Sequence, residues 1–282
     1  MQTVAIAGVG LIGGSFARAL RQAGFTGKIL GVSSPNTVKL ALEYGVIDEA
    51  TPEQEAFARA DLIYLARPVS SILETLDAID AVVRPGALVT DAGSTKVDIV
   101  RRAAKAVRNA VFLGGHPMAG KETRGVSSAD PDLFRGRTYF LTPQPFSQMQ
   151  LPSVMRFREW IQRIGANPVP ISPEEHDRLV AFTSHLPQLA STALAAALAG
   201  SLDPSQARMG AGPGLLDTTR LALSSYDIWA DILQTNQPLV AQALDLYIDK
   251  IQEIRASLGE PSARQYFEIA EKFTKLLRKR SV

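Results

Sequence analysis

The chain has 282 residues, of which 46% are hydrophobic and 21% are charged, a composition typical of a globular protein with a substantial core. A formal net charge of +2 gives no reason to expect a nucleic-acid partner, and the absence of cysteine excludes disulfides, zinc–thiolate sites and cysteine nucleophiles. The most apolar stretch, residues 189–199, is too short to span a bilayer, and the N-terminus lacks the pattern of a signal peptide. We therefore expect a cytoplasmic protein without nucleic-acid or membrane partners, and its length allows one or two domains.

A glycine-rich sequence, GVGLIGGS at residues 8–15, follows the first predicted strand and begins a helix. In this setting the G-x-G-x-x-G pattern predicts a dinucleotide-binding loop. Gly8 permits a tight turn, Gly10 lets the backbone approach a pyrophosphate, and Gly13 allows the helix to pack closely on the strand. The helix N-terminus offers N–H groups and the positive end of its dipole to the phosphates. The predicted cofactor-binding residues of this motif are Gly8, Gly10, Leu11, Ile12 and Gly13.

Strand-like and helical patterns alternate up to about residue 170. The predicted strands are short apolar runs bounded by Gly, Pro or Asp, at residues 3–7, 28–32, 62–66, 88–91, 111–114, 138–142 and 167–170. This alternation predicts an α/β fold with a doubly wound, Rossmann-type parallel sheet. Ligands of such sheets bind at the carboxyl ends of the strands.

The pattern changes at Ser172, where Ser-Pro-Glu-Glu predicts a capping box with Glu175 at the third helical position. Only helical periodicity follows. We therefore predict a dinucleotide-binding domain at residues 1–171 and an all-helical domain at residues 172–282. Long apolar helices such as residues 239–254 need a partner to cover them, so we expect a homodimer.

The chain has three histidines. His116, in GGHPMAG at residues 114–120, is expected just after a strand on exposed backbone at the carboxyl edge, which favours a functional role. His185 is equally compatible with a structural or a functional role. His176 lies in an acidic stretch, but the capping box explains Glu175 and we expect no metal there. H-E-x-x-H and G-x-S-x-G are absent, so metalloprotease and α/β-hydrolase activities have no support.

Two further motifs carry candidate site residues. DAGSTK at residues 91–96 follows a strand and begins a helix, so Ser94 is a candidate N-cap, with or without a further role. DTTR at residues 217–220 follows a glycine-rich break. Arg220 either binds a carboxylate through two hydrogen bonds or pairs with Asp217.

Five motifs in this order resemble the prephenate/arogenate dehydrogenase family of tyrosine biosynthesis. They are GVGLIGGS (8–15), DAGSTK (91–96), GGHPMAG (114–120), SHLP (184–187) and DTTR (217–220). The resemblance covers nearly the whole chain, and GGHPMAG together with SHLP is far more specific than the glycine motif. It implies a Rossmann-type domain followed by an intertwined helical dimerisation domain, in agreement with the division above.

The resemblance also implies roles for individual residues. His116 matches the catalytic histidine that binds the ring 4-hydroxyl and takes its proton as hydride leaves C4, and Ser94 matches the serine that orients it. Arg220 matches the arginine that binds the ring carboxylate. His185 matches a second residue of the substrate pocket, and Glu122 a polar pocket position of some members.

Two positions concern the substrate less directly. Trp229 matches a pocket aromatic of some members, but a core tryptophan is equally plausible. Gln188 stands where some prephenate-using relatives continue SHLP with histidine, so we include it among the substrate-binding candidates. Glutamine does not decide between prephenate and arogenate.

The family reaction explains these residue types. Oxidation of the C4 carbinol gives a dienone whose carboxylate leaves as CO₂, and aromatisation supplies the driving force without a metal. Such a reaction requires a base with a pKa near neutrality, a positive partner for the carboxylates and a nicotinamide cofactor at C4.

The choice of cofactor depends on the end of the second predicted strand, where an NAD-type site expects an acidic residue. The chain has Ser33 and Ser34 there, which do not repel a 2′-phosphate and can donate hydrogen bonds to it. No arginine follows at once, so we expect NADP or NAD, with NADP favoured. Arg67 follows a strand on the cofactor side and is either a phosphate ligand or a surface arginine.

Two alternatives remain. Another two-domain Rossmann oxidoreductase, of the β-hydroxyacid dehydrogenase or imine reductase type, would more usually carry a catalytic lysine or aspartate in its helical domain. A non-catalytic dinucleotide-binding protein would not need to retain a set of four residues, namely His116, Ser94, His185 and Arg220. We expect neither a fused chorismate mutase nor a regulatory domain.

Overall fold

A computed structural model describes residues 1–278 of the chain. Its strands are β1 (Thr3–Ala7), β2 (Lys28–Val32), β3 (Glu49–Ala50), β4 (Leu62–Leu65), β5 (Leu88–Asp91), β6 (Val111–Pro117), β7 (Thr138–Thr142) and β8 (Asn167–Pro170). The helices up to the end of the sheet are α1 (Leu11–Gln22), α2 (Pro35–Glu43), α3 (Glu53–Arg59), α4 (Val69–Ile79), α5 (Val97–Ala106) and α6 (Pro152–Arg163). The later helices are α7 (Pro173–Val180), α8 (Leu186–Ser201), α9 (Pro204–Gly210), α10 (Pro213–Thr219), α11 (Tyr226–Thr235), α12 (Gln237–Ala256) and α13 (Arg264–Arg278).

The eight strands form one sheet in the order β3-β2-β1-β4-β5-β6-β7-β8. All neighbouring strands are parallel except β6 and β7, which are antiparallel. The chain order reverses between β1 and β4, so the carboxyl ends of these strands form the topological switch point at which such sheets bind ligands. The α/β Rossmann-type fold expected from the sequence is confirmed.

The central strands are buried on both faces because helices cover both sides of the sheet. On β1, Val4 and Ile6 belong to one apolar cluster, whereas Ala5 and Ala7 belong to the other. Phe16 of α1 stacks on a ring of β4 with centroids 4.0 Å apart. This packing fixes α1, and with it the glycine-rich loop, against the sheet.

All seven predicted strands are present, but two details differ. The two-residue strand β3 is too short to give a periodic signal. Strand β6 continues to Pro117 rather than ending at Gly114, because its last four residues pair with β7. This antiparallel partner lies too far along the chain for a local pattern to indicate.

After β8 the described residues contain only helices and turns, as predicted. The capping box at the start of α7 is confirmed, because Ser172 Oγ accepts from the Glu175 N–H at 3.2 Å and Glu175 Oε2 accepts from the Ser172 N–H at 3.4 Å. None of the helices described up to residue 278 is both long enough and apolar enough to cross a membrane.

The chain divides into two compact units, the first comprising residues 1–237 and the second beginning at Pro238. The second unit contains most of α12 and all described residues of α13. The predicted boundary at residues 171/172 separates a cofactor-binding domain from a helical domain by function, and it stays a prediction. Residues 279–282 of the predicted helical domain lie outside the described residues.

Candidate active site

The glycine-rich loop after β1 is tightly packed at two motif positions and open at the third. Gly8 has a φ of +95°, and a Cβ there would lie 2.2 Å from the carbonyl oxygen of Ala66. A Cβ on Gly13 would lie 2.0 Å from the carbonyl oxygen of Gly8, so only glycine lets α1 pack this closely. A Cβ on Gly10 would meet no described heavy atom within 4 Å. The loop therefore leaves space for a ligand at Gly10.

Helix α1 begins directly at this open position. Gly10 is its N-cap residue, no side-chain cap is formed within residues 1–278, and the first turn contains no acidic residue. The N–H groups of Leu11 and Ile12 have no partner inside the helix. Since an uncapped N-terminus binds anions, a dinucleotide pyrophosphate fits here.

A cavity of about 190 Å³ adjoins the loop at the carboxyl edge of the sheet. Its wall contains three predicted site residues, Ile12, Arg67 and Ser94, from the segments that follow β1, β4 and β5. Asp231 and Ile232 of α11 complete part of the wall. The fold thus brings residues from four distant segments to one cavity.

Arg67 is largely buried, and so it is not the freely solvated surface arginine that the sequence left as one alternative. It forms an ion pair with Glu53 and donates to Thr75 Oγ1 at 3.1 Å. Its Cγ would lie 3.1 Å from a Cβ placed on Gly8, so the stem of the side chain packs against the glycine-rich loop.

The two serines at the end of β2 differ in what their hydroxyls do. Ser34 is the N-cap of α2, and its Oγ accepts from the Thr37 N–H at 3.4 Å and lies 2.9 Å from Thr37 Oγ1. Ser33 is exposed. Ser33 is therefore the more available of the two for a ligand.

Ser94 is not the N-cap of α5, contrary to one of the interpretations of the sequence. The helix begins at Val97, and the Asp177 carboxylate accepts from the N–H groups of Lys96 and Val97 at 2.7 and 2.9 Å. A carboxylate 80 residues away along the chain therefore performs the capping. Ser94 lies in the cavity wall instead.

His116 lies inside β6 on buried backbone, and not just after a strand on exposed backbone as expected. Its side chain is 9% exposed. The two preceding glycines are required by close packing, since a Cβ on Gly114 would lie 2.2 Å from Thr142 Oγ1 and one on Gly115 would lie 2.6 Å from the Asp91 carbonyl oxygen. His116 is thus fixed by sheet pairing rather than by a flexible loop.

A fully buried ion pair supports the strand beside His116. Lys96 Nζ pairs with the Asp91 carboxylate and donates to the Gly115 carbonyl oxygen at 2.9 Å, and both charged side chains are 0% exposed. Asp91 also accepts from the N–H groups of Gly93 and Gly115, at 2.8 and 3.1 Å. Because removing one partner of such a pair leaves a buried charge, which costs about 3–5 kcal/mol, this arrangement holds β6 in place.

His116 is the first member of a buried hydrogen-bonded chain. Its Nδ1 lies 2.9 Å from Nε2 of His176, whose Nδ1 lies 2.7 Å from Oδ1 of Asp177. Burial, reinforced by the neighbouring His176, holds the pKa of His116 well below 6.5. Burial also lowers the pKa of His176, although the Asp177 carboxylate opposes the shift. Both rings are therefore neutral near pH 7.

Over residues 1–278, no three His, Cys, Asp or Glu side chains have the arrangement needed to hold a metal ion. A hydrogen bond and edge-on ring packing, with centroids 5.1 Å apart, join His176 to His116, and a hydrogen bond joins Asp177 to His176.

His185 ends a π-helical turn, Ala181–His185, between α7 and α8. Such turns often occur at functional sites. The ring packs edge-on against Trp229 with centroids 5.8 Å apart, and its Nδ1 lies 3.3 Å from Nδ2 of Asn236. Burial lowers the pKa of His185 to about 4, so this ring is also neutral near pH 7.

Arg220 pairs with Glu122 and not with Asp217, contrary to the second sequence alternative. The distance from Arg220 Nη1 to Glu122 Oε1 is 2.5 Å, and the two side chains are 56% and 60% exposed. The segment after β6 brings Glu122 to the arginine across 98 positions of sequence, which a local pattern does not indicate. The guanidinium therefore has a carboxylate partner that solvent can replace.

Gln188 is buried and supports the turn that carries Arg220. Its Nε2 donates to the Leu221 carbonyl oxygen at 2.8 Å and to Thr192 Oγ1 at 3.2 Å. Ser191 Oγ accepts from the Ala222 N–H at 3.1 Å in the same turn. The contacts of Gln188 fix the position of Arg220, and its predicted contact with substrate stays a prediction.

Sequence reasoning missed four residues that surround the predicted ones, namely Lys96, His176, Asp177 and Asn236. The sequence contains a helical spacing that could have indicated two of them, His176 and Asp177. His176 and Asp177 share the spacing i, i+3, i+4, i+7 with Pro173 and Val180, and all four are buried on one face of α7. A histidine and an aspartate on the inward face of a helix indicate a buried polar network rather than a solvated cap.

Comparisons with known proteins place both parts of the chain in one family. The family model for the nucleotide-binding domain of prephenate dehydrogenase matches residues 16–167, and that for its dimerization domain matches residues 172–276. Prephenate dehydrogenase of Bacillus subtilis (strain 168) is 34% identical over 280 residues, covering 96% of this chain and 75% of that protein.

Two solved structures cover nearly the whole chain. That of prephenate dehydrogenase from Aquifex aeolicus, in complex with hydroxyphenyl propionate and NAD⁺, has a TM-score of 0.87 and 30% identity, and covers 98% of both chains. That of Synechocystis arogenate dehydrogenase has a TM-score of 0.81 and 29% identity, covering 98% of this chain and 99% of that one. These matches favour the predicted family over the hydroxyacid dehydrogenase and non-catalytic alternatives, and the chain belongs to the prephenate dehydrogenase family.

Proposed function

We propose that the protein oxidatively decarboxylates prephenate or arogenate with a nicotinamide dinucleotide as hydride acceptor. The C4–H bond of the cyclohexadienol breaks with transfer of hydride, and the hydroxyl proton leaves to a base. The bond from C1 to its carboxylate then breaks, CO₂ departs, and the electron pair completes the aromatic ring. The products are 4-hydroxyphenylpyruvate from prephenate and tyrosine from arogenate.

The observation that carries this proposal is the environment of His116. The ring is held in a strand at the carboxyl edge of the sheet, is almost buried, and has a pKa well below 6.5 because of that burial. It is therefore an unprotonated acceptor at neutral pH, as a general base must be, although its pKa lies below the near-neutral value expected from the sequence. We assign to it the removal of the C4 hydroxyl proton, and to Ser94 a hydrogen bond near the same hydroxyl.

Arg220 and His185 supply the remaining substrate contacts in this proposal. The guanidinium of Arg220 is the cation for the ring carboxylate, which would replace Glu122 as its partner. His185, which is neutral near pH 7, contacts a polar group of the substrate. Glu122 and Gln188 act through Arg220, the first by pairing with its guanidinium and the second by supporting its turn.

The cofactor would bind at the glycine-rich loop. The space at Gly10 and the uncapped N-terminus of α1, with the N–H groups of Leu11 and Ile12, suit its pyrophosphate. When bound, the nicotinamide accepts the hydride. We infer a preference for NADP, because Ser33 is exposed at the end of β2 without a carboxylate that would repel a 2′-phosphate.

We also propose that the protein is a homodimer. In the second unit, large apolar side chains remain exposed on both helices, namely Leu246, Ile248, Ile251, Phe267, Ile269, Phe273, Leu276 and Leu277. Helix α13 has no buried residue among those described. Because burial of each such side chain contributes roughly 1.5–3 kcal/mol, a second copy would stabilise this surface. The match to a dimerization domain at residues 172–276 supports the same partner.

One assay tests the reaction. Purified protein is mixed with prephenate or arogenate and with NAD or NADP in all four combinations, and the absorbance of the reduced cofactor is followed together with CO₂ release. We expect equal amounts of reduced cofactor and CO₂ in at least one combination. No reduction in any of the four would overturn the proposed function.

The same assay tests the cofactor preference. Ser33→Asp places a carboxylate where the 2′-phosphate would lie, and we expect it to lower kcat/KM for NADP by roughly tenfold or more while leaving NAD turnover intact. Equal effects on both cofactors would contradict a role for Ser33 in this choice.

Light scattering tests the assembly. We expect a mass of about twice the 30.4 kDa of one chain at micromolar concentration. Phe273→Asp should reduce it to that of one chain, whereas Lys272→Asp, at the neighbouring polar position, should not. A monomeric native protein would exclude the proposed dimer.

A further inference from the structure

The hydrogen-bonded chain from His116 to Asp177 contains two residues that the proposed reaction does not use. His176 is 0% exposed and Asp177 is 1% exposed, so neither side chain is available to a ligand. Both belong to α7, whereas His116 belongs to β6. Their contacts therefore serve His116 and the start of α5.

The chemistry of the donors fixes the direction of each bond. A carboxylate accepts only, so His176 Nδ1 carries the proton in its bond to Asp177. A neutral imidazole has one N–H group, and His176 Nε2 is then an acceptor. The 2.9 Å contact requires His116 Nδ1 to donate to it, which leaves the lone pair of His116 on Nε2.

Asp177 accepts backbone hydrogen bonds at the beginning of this chain. Its two carboxylate oxygens accept from the N–H groups of Lys96 and Val97 at the N-terminus of α5, where the positive end of the helix dipole favours a negative charge. The direction of the whole chain is thus set by a carboxylate that the backbone keeps in position.

We propose that Asp177 and His176 are positioning residues that hold His116 in the tautomer with its proton on Nδ1, so that Nε2 is the base. The proposal rests on the role of His116 in the proposed function. It adds that the identity of the basic nitrogen is determined 60 residues away along the chain.

The same arrangement accommodates the charge that forms during the reaction. When His116 Nε2 takes the hydroxyl proton, the ring becomes an imidazolium whose Nδ1–H still donates to His176. Asp177 stabilises this cation through the intervening ring without itself becoming protonated, as the aspartate of a serine-protease triad does. Within this hydrogen-bonded chain one proton is gained, from the substrate hydroxyl to Nε2, and the protons on His116 Nδ1 and His176 Nδ1 stay in place.

His185 provides an internal reference because its partner sets the opposite tautomer. Asn236 Nδ2 donates to the Asp177 carbonyl oxygen at 2.9 Å, which identifies that atom as the amide nitrogen. The same group lies 3.3 Å from His185 Nδ1, which must then accept. The proton of His185 is therefore on Nε2.

Nitrogen-15 NMR of the native protein tests this assignment without any substrate. The chain has only three histidines, so labelled imidazoles are assigned by single replacements. Near pH 7.5 we expect His116 and His176 to be protonated on Nδ1 and His185 on Nε2. A proton on Nε2 of His116 would overturn the proposal, whatever the protein catalyses.

Kinetics of two variants test the consequence. His176→Gln keeps an oxygen able to accept from His116 Nδ1, whereas His176→Leu removes the acceptor. We expect kcat to fall by about 100-fold in the Leu variant and by less than about tenfold in the Gln variant, with KM for cofactor changed by less than about threefold in both. Equal losses, or no loss in the Leu variant, would overturn the positioning role.

If His176→Leu does not fold, a third variant still tests the positioning role. In Asp177→Asn, an amide nitrogen donates to His176 Nδ1, so the proton of His176 is on Nε2. His176 Nε2 then donates to His116 Nδ1, which places the His116 proton on Nε2. We expect kcat to fall by at least about 100-fold with the NMR signals of His116 changed to that tautomer. If His116→Asn itself retains native turnover, the proposed function fails; if only the His176 and Asp177 variants do, the positioning role alone fails.

Discussion

The two parts of the candidate active site are built on opposite principles. The proton-accepting part, His116 with His176 and Asp177, is buried, and in the proposed tautomer every bond in it has a fixed direction. The carboxylate-binding part, Arg220 with Glu122, is more than half exposed and held by one ion pair. The difference indicates that the protein preorganises the group that moves a proton and leaves exchangeable the group that must receive a charged ligand.

Physical chemistry explains why the two parts differ. A buried polar group without its partner costs about 1–3 kcal/mol, so a satisfied buried chain resists rearrangement. An exposed ion pair contributes only about 0–1 kcal/mol, so a substrate carboxylate displaces Glu122 at little cost. Substitutions in the first part should therefore change kcat, and substitutions in the second should change KM.

The largest effect is expected from His116→Asn. Asparagine Nδ2 can still donate to His176 Nε2, so the buried chain is kept while the base at Nε2 is lost. We expect kcat to fall by about 100- to 10,000-fold, the range of general-base catalysis, and cofactor affinity to change by less than about threefold. Steady-state kinetics with either substrate and a cofactor titration measure the two quantities.

A second replacement repeats the test with a different side chain, and retained cofactor affinity in both variants separates loss of the base from loss of the fold. His116→Gln places its amide near the position of Nε2 without restoring a base, so it should be as inactive as His116→Asn. Turnover within about tenfold of the native protein in either variant would show that His116 is not the base.

A smaller effect is expected from Arg220→Gln. A hydrogen bond to a charged group contributes about 1.5–3 kcal/mol, so KM for the substrate should rise by roughly 10- to 100-fold with little change in kcat. Glu122→Gln should lower KM for the substrate or leave it unchanged, because it releases the Arg220 guanidinium from its competing carboxylate. Initial rates over a range of substrate concentrations distinguish these outcomes.

The Arg220 and Glu122 variants can also contradict the contrast between a fixed buried part and an exchangeable exposed part. If Glu122→Gln raises KM as strongly as Arg220→Gln, the exposed pair positions the arginine and is not exchangeable. A large fall in kcat in Arg220→Gln would place the arginine in the same functional class as His116.

What the sequence predicted well depends on short segments. The roles of Gly8 and Gly13, the seven strands and the capping box at Ser172 each follow from a few consecutive residues. Local chemistry is sufficient for these because a turn, a cap or a strand is determined largely by its own residues. The candidate residues His116, Ser94 and Arg220 also lie in motifs of four to seven residues, but their roles rest on the family resemblance and stay predictions.

What the sequence did not predict depends on distant contacts. Asp177 caps a helix 80 residues earlier in the chain, and the interpretation of Ser94 as an N-cap, one of those that the motif allowed, is therefore wrong. Glu122 reaches Arg220 across 98 residues, and β7 extends β6 through His116. A periodic pattern identifies the buried face of α7 but not the strand that it meets.

The last expected effect concerns the third buried ring and the stability of the protein rather than its activity. The pKa of His185 is lowered by burial from 6.5 to about 4, so as the pH falls through this window the unfolded chain binds a proton before the folded chain does. The free energy of unfolding should therefore decrease from pH 6.5 toward pH 4, with roughly 2–4 kcal/mol of that decrease due to His185. The lowered pKa values of His116 and His176 act in the same direction.

Chemical denaturation between pH 7 and pH 4, at fixed protein concentration, measures this contribution as a difference between variants. His185→Gln removes the titrating ring, so its stability should fall less steeply with decreasing pH than that of the native protein. Arg220→Gln should follow the native curve, because its exposed ion pair with Glu122 contributes little to folding. Parallel curves for the native and His185→Gln proteins would mean that His185 titrates alike in the folded and unfolded chains, and the buried character of this side of the site would then not extend beyond His116 and its two partners.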